Sequence, residues 1–347
     1  FTIEQLAGDL LPEPTQQQQI AAGYNRLGMM SAEGGVQPKE YLAKYIAERV
    51  RNVSGAWLGI TLGCAECHDH KFDPLTSRDF YRFEAFFADI KEQGLYAGGN
   101  WGPKLRLPTS EQETRLTEID AAIARLKEQG EPPQEELDAL TKQREQVEAS
   151  VLTTLVTETV EPRMVRVLAR GNWMDESGEE VTPGFPEVLS ARQTSDRRLN
   201  RLDLARWIVD RENPLTARVF VNRLWAVLFG EGLSRRLDDV GAQGEWPTHP
   251  ALLDRLAADF MREGWDVKRL VKAIVMSETY QRASLVDPDV VEADPGNRWL
   301  ARQGRFRLDP GFAPPLLDVA ASPVILRLLR DVPARLEAKA AELAGPP

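Results

Sequence analysis

The sequence predicts a mainly α protein with a small β section around residues 151–192 and an inserted helical hairpin at 111–150. Three observations predict it. Apolar residues recur every three or four positions through 111–150 and again beyond 213, the period of a helix face. β-branched runs gather between about 151 and 192. Gly130, Pro132, Pro133 and Pro183-Gly184 punctuate the pattern where a helix cannot continue.

Taken in order, residues 1–108 form the first region and carry both Cys and two of the three His. Six aromatics fall in sixteen residues: Phe72, Phe80, Tyr81, Phe83, Phe86 and Phe87. Phe80, Phe83, Phe87 and Ile90 stripe one face of a helix that Ser77 is placed to cap. Such a stripe reads as core first and as a cofactor wall second. The second region, 111–150, holds 11 acidic and 5 basic residues, more than half of the chain's net charge of −10. Its stripe runs Leu116, Ile119, Ile123, Leu126, then Leu137, Leu140, Val147 and Val151, so we expect two antiparallel helices in a solvated arm. The third region, 151–308, opens with short strands in Thr-Leu-Val-Thr-Glu-Thr-Val and Met-Val-Arg-Val-Leu. It continues into helices over 215–229, 250–262 and 266–280, the first started by Asn213-Pro214. Residues 309–347, with Pro314-Pro315, form a tail. No internal repeat occurs.

Composition narrows the function. With 347 residues, 42% of them apolar, 8 Trp and 12 Phe, the chain can bury a substantial core and is not wholesale disordered. Lys+Arg 43 against Asp+Glu 53 argues against a nucleic-acid binder. No window approaches eighteen apolar residues, so no membrane span is expected in this stretch. Two Cys exclude a disulfide framework. Residue 1 is Phe, and no charged-then-apolar leader precedes the first polar stretch. Localisation is therefore read from the chemistry of the Cys pair.

That chemistry lies in Gly63-Cys64-Ala65-Glu66-Cys67-His68-Asp69-His70-Lys71-Phe72-Asp73-Pro74. Cys64, Cys67 and His68 form C-x-x-C-H and project from one face of a helix. The arrangement suits covalent c-type haem, with two thioethers and an imidazole on the iron. It also leaves other readings open. Cys64, Cys67, His68 and His70 offer four donors for zinc or iron, provided the chain turns after Cys67. The pair could be a redox dithiol, or the loop could simply pack. Candidates for a distal ligand are His70, His249 and Met29, Met30, Met164, Met174, Met261 and Met276. Asp69 and Asp73 could hold a cation or orient His68. Arg49 and Arg51 read as a solvated face. The Arg-Asp run from Arg192 to Arg211 reads as surface pairing, and Asp238-Asp239 as a turn. No G-x-G-x-x-G, Walker loop, G-x-S-x-G or H-E-x-x-H is present, and no carboxylate pair has glycosidase spacing.

The run Glu4-Gln5-Leu6-Ala7-Gly8-Asp9-Leu10-Leu11, the stretch Tyr24-Asn25-Arg26 and the segment from Trp57 to Pro74 resemble the second planctomycete-specific cytochrome-type domain. Asn213-Pro214-Leu215-Thr216-Ala217-Arg218-Val219, Val221-Asn222-Arg223-Leu224-Trp225, Asp238-Asp239-Val240-Gly241, His249-Pro250 and Asp294-Pro295-Gly296-Asn297-Arg298 resemble the planctomycete-specific domain that usually follows it. The resemblance implies large exported, periplasmic proteins of unassigned reaction, with Cys64, Cys67, His68, His70 and Asp73 as site residues. It implies haem c as the cofactor, a redox partner of unknown identity, and a link to polysaccharide use and so to carbohydrate. The signal peptide is expected outside this stretch. After Arg305-Phe306-Arg307-Leu308 the family continues into an acidic, Arg-containing helix; here Asp309-Pro310-Gly311-Phe312 replaces it, which marks 309–347 as divergent.

Overall fold

The computed structural model describes residues 1–128, 133–190 and 196–304. The tail 309–347, the segment Arg305–Leu308, the hairpin turn at Gly130 and Pro132, and Arg192 lie outside the described residues. The described chain is mainly α: eleven helices against four short strands in two two-stranded sheets. None of its helices is long and apolar enough to cross a membrane.

Helices α1 (Thr2–Ala7), α2 (Gln16–Ala22), α3 (Pro38–Val53) and α4 (Ser77–Glu84) build the first region. Pro38 opens α3 where its missing N–H costs nothing. Thr76, not Ser77, caps α4, in a capping box closed by Asp79. The aromatic stripe is core: Phe80, Phe83, Phe86, Phe87 and Ile90 are fully buried in one cluster with Leu6, Val50, Leu58 and Leu62.

Strand β1 (Lys104–Leu107) pairs antiparallel with β2 (Leu152–Leu155), in register from Lys104 opposite Leu155 to Leu107 opposite Leu152. This ribbon is the root of the arm formed by α5 (Ser110–Glu128) and α6 (Gln134–Ser150). Contacts between Gln112 and Ser150 and between Asp120 and Arg144 show the two helices antiparallel, as the stripe predicted. Only Ile119 of the arm's helices is buried. Strand β3 (Val165–Arg166) pairs with β4 (Glu180–Val181) and completes the small β section.

Helices α7 (Arg201–Ile208), α8 (Thr216–Phe229), α9 (Pro250–Arg262) and α10 (Val267–Val275) follow. Asn213 starts α8 by accepting the N–H groups of Leu215 and Thr216. Helix α10 stops five residues before the predicted Tyr280. Ser277 is the reason: its hydroxyl donates to Ile274 O at 2.6 Å and receives Tyr280 N–H, competing with the helix ladder.

Two compact units divide the chain. The first comprises Phe1–Val227 and Glu231–Ala273. Within it, Phe185 stacks between Phe86 and Trp207, joining the 3-10 turn Ala85–Phe87 after α4 to α7 through ring centroids 5.3 and 4.6 Å apart. The second comprises Leu228–Gly230 and Ile274–Pro347. There α11 (Pro288–Ala293) leads to Asp294, whose carboxylate accepts Arg298 and Trp299 N–H at 2.8 and 2.7 Å.

Two charged groups depart from the sequence reading. Arg201, read as a surface pairing residue, is fully buried. Its guanidinium holds Asp9 and Asp89 at 2.7–2.8 Å and also meets Leu6 O and Thr159. Arg49, read as part of a solvated face, clasps buried Glu92 together with Arg163. Burial works against ionisation of Glu92, but the two guanidinium groups outweigh it and hold the carboxyl below its ordinary value. Charge-alternating sequence cannot tell a solvated helix face from a long side chain turned inward to meet distant carboxylates.

Candidate functional site

Helix α3 ends in a π turn, Ser54–Leu58, stopped by Gly59 at φ 60°. The motif follows as a 3-10 turn, Leu62–Glu66, with Cys67 at its end. Side chains three apart eclipse in such a turn. Leu62 and Ala65 therefore both go inward, each fully buried, while Cys64 and Cys67 both face out as exposed, unbridged thiols. Arg51 packs over Gly63 and pairs with Glu66. The Tyr81 hydroxyl donates to Glu66 O at 2.9 Å. A Cβ on Gly171 would lie 3.1 Å from Cys67 Sγ, so the loop after β3 is seated directly on this sulfur.

The two motif histidines part company. His68 is exposed, and its Nδ1 lies 2.7 Å from Asp69 O. A carbonyl can only accept, so Nδ1 is the donor here, and in the neutral ring Nε2 then keeps its lone pair. His70 is buried. Its Nδ1 accepts Asp73 N–H at 2.9 Å, and its Nε2 lies 3.0 Å from Thr61 Oγ1. Its backbone N–H donates to Leu75 O at 2.8 Å. His70 thus staples the 70–75 loop with both ring nitrogens.

Asp73 also turns inward. Its Oδ1 accepts Ala242 N–H at 2.7 Å, and its buried Oδ2 has no donor. A Cβ at Gly241 would fall 2.4 Å from this carboxylate, so only glycine permits the approach. Asp69 caps the next element by accepting Ser77 N–H. The structure therefore brings Cys64, Cys67 and His68 out on one short turn and separates His70 and Asp73 from them. Among the described residues no three His, Cys, Asp or Glu side chains converge to hold an ion. Of the other candidates, His249 Nδ1 meets Thr248 Oγ1 at the start of α9, and Asp239 accepts Gly241 N–H in a turn.

Several neighbours carried no sequence signal. Glu84 lies buried behind the motif; burial first, then the Glu66 charge, pushes its carboxyl well above the ordinary value, against Arg163 and Arg51. Burial likewise raises the Tyr81 phenol. A cavity of about 450 Å³ opens beside α3, lined by Tyr24, Arg26, Tyr41, Tyr45, Arg49 and Arg51 among others. Arg51 thus borders both the cavity and the motif turn.

Residues 1–92 match the family model PSCyt2, protein of unknown function (DUF1549), and residues 200–313 match PSD1, protein of unknown function (DUF1553). The chain carries these two planctomycete-type domains, in that order. A third model, T6SS_VasE (Bacterial Type VI secretion, VC_A0110, EvfL, ImpJ, VasE), matches 299–347, nearly all of it outside the described residues. No curated protein and no solved structure matches the chain.

The PSCyt2 and PSD1 segments share hydrogen bonds at the motif. Gly59 O accepts Val240 N–H at 2.8 Å, and Arg223 of PSD1 donates to Gly55 O and Ala56 O in the π turn. With the Asp73–Ala242 bond, PSD1 backbone and one PSD1 guanidinium frame the segment that presents Cys64, Cys67 and His68.

Proposed function

We propose that this chain is an exported c-type cytochrome-like redox protein, with haem attached at Cys64 and Cys67 and His68 as axial ligand. One observation carries the reading. His68 has its Nδ1 proton tied to Asp69 O, which leaves Nε2 available beside two exposed thiols. Ligating imidazoles use this arrangement, because a carbonyl on one nitrogen fixes the tautomer and orientation of the other. The donors present, two unbridged thiols and one imidazole nitrogen, fit a covalently held porphyrin iron. When bound, that group supplies one-electron exchange. The chain's own residues hold the turn: Leu62 and Ala65 anchor it in the core, Tyr81 fixes Glu66 O, and Arg51 covers Gly63.

Export follows from the chemistry, since thioether attachment belongs to the periplasmic assembly route. The redox partner is of unassigned identity; the link to polysaccharide use comes from the resemblance and adds carbohydrate as a second class of partner. An ion held directly by Cys64, Cys67, His68 and His70 is the competing reading. It requires one ring nitrogen of His70 to give up its partner, Thr61 or the Asp73 N–H.

The test is a pyridine haemochrome spectrum of the full-length protein from its own host. We expect a c-type band that Cys64→Ser with Cys67→Ser abolishes. We expect His70→Ala to keep the band while lowering stability by about 1–3 kcal/mol, because Asp73 N–H and Thr61 lose a buried partner. Stoichiometric zinc or iron without porphyrin, lost on His70→Ala, overturns the reading in favour of the ion.

A further inference from the structure

We propose that the cavity of about 450 Å³ beside α3 binds a small organic carboxylate, with its anionic end at Arg26 and Tyr96 and its ring or other apolar body against the neighbouring tyrosines. This ligand is distinct from any group held at Cys64 and Cys67.

The charge balance of the lining points to an anion. Four cations line the cavity: Arg26, Lys44, Arg49 and Arg51. Lys44 pairs with Glu40, Arg49 with Glu92 and Arg51 with Glu66. Arg26 meets no carboxylate among the described residues, although it is only 4% exposed. Its guanidinium donates to Lys91 O, the Tyr96 hydroxyl and Trp101 O at 2.9–3.1 Å, and lies 3.6 Å from the Met30 sulfur. All four acceptors are uncharged. Its buried Nε has no partner. The buried carboxylate of Glu92 is already taken by Arg49 and Arg163. An enclosed cation without a counterion is unfavourable, and an anion drawn from solution offsets that.

Tyr96 adds a second unused donor. Its hydroxyl accepts from Arg26 at 2.9 Å and from Gln93 N–H at 3.1 Å, which leaves its own proton without an acceptor among the described residues. The two donors therefore sit side by side. Hydrogen bonds to an ionised acceptor are about twice as strong as neutral ones, so this pair favours an anion over a neutral group.

The rest of the lining selects the kind of anion. Tyr24, Tyr41 and Tyr45 join Tyr96 there. The Tyr45 ring stands 5.8 Å from Tyr41 and 6.3 Å from Tyr96, so the three form a continuous aromatic wall. Leu27 and Met29, both strongly exposed, add apolar surface to the lining. Small-molecule sites of about 300–1,000 Å³ combine such walls with a few polar groups that fix orientation. One unpaired guanidinium matches one negative charge. Inorganic phosphate would leave the tyrosines uncovered.

The experiment titrates phenylacetate, its uncharged counterpart phenylacetamide and inorganic phosphate into the full-length protein by calorimetry, with a haemochrome spectrum of the same sample. We expect phenylacetate to bind about tenfold more tightly than phenylacetamide, and phosphate to leave its binding unchanged. Arg26→Gln should bring acid and amide to equal affinity. That variant alters a buried group, so Tyr96→Phe is the second: it keeps the ring, removes the unused donor, and should weaken the acid several-fold while sparing the amide. Equal affinity of acid and amide in the parent protein, no binding of phenylacetate, or a preference that survives both variants overturns the site. Phosphate that displaces phenylacetate overturns the organic carboxylate in favour of an inorganic anion. A protein without porphyrin that still prefers the acid overturns the haem reading and keeps the cavity site.

Discussion

The interior between α1, α4 and α7 and the arm built from α5 and α6 handle charge in opposite ways. In the interior, charges are few, and Arg201 and Glu92 have their charged side chains enclosed. Arg201 makes hydrogen bonds to two carboxylates, a carbonyl and a hydroxyl, and Glu92 takes both Arg49 and Arg163. The arm carries many charges, and Arg144, which bridges Asp120 and Glu148, is more than a third exposed. Enclosed groups have no water to return to when a partner is lost, whereas exposed ones do. The difference teaches that the charge count of a segment says little about where charge matters.

The strongest way to break this comparison is Arg201→Met. It keeps the volume but strands Asp9 and Asp89 away from solvent, so we expect a loss of about 3–5 kcal/mol in urea unfolding. A loss below 1 kcal/mol would show that the interior tolerates its carboxylates unpaired. A smaller effect, and a pH-dependent one, belongs to Glu84. Its folded-state value is raised above the ordinary 4.5. Its contribution is therefore complete below the unfolded value and declines as pH rises through the folded one. Glu84→Gln removes that decline. The variant should match the parent at acid pH, where Glu84 is protonated in both states, and gain on it as pH rises above the ordinary 4.5, read as urea midpoints across the range; parallel curves would refute the buried-acid assignment. The smallest effect is expected in the arm. Arg144→Ala should leave the melting temperature where it is, because its carboxylate partners rehydrate.

Much of the fold could be read ahead of the coordinates, for reasons tied to particular residues. The arm's two stripes, Asn213-Pro214 and Pro250 each act locally, through period or cap, and local signals survive in a string of letters. The site was only half legible. C-x-x-C-H marks Cys64, Cys67 and His68 by spacing alone. Nothing in the spacing says that His70 turns inward, because that depends on Thr61 and on the backbone of Asp73. Gly171 carries no sequence signal, since its close approach is to Cys67, more than a hundred positions away. Arg201 and Arg49 were misread for the same reason: their partners Asp9, Asp89 and Glu92 are remote in sequence.

The contact between Asp73 and the Gly241–Ala242 backbone has an evolutionary consequence. It joins the PSCyt2 segment to the PSD1 segment through a side-chain oxygen on one and a main-chain N–H on the other. Recombination that swapped the downstream partner for an unrelated one would orphan the Gly59 carbonyl and the Asp73 carboxylate together. Separating the two segments would therefore take a donor from each of these acceptors at once.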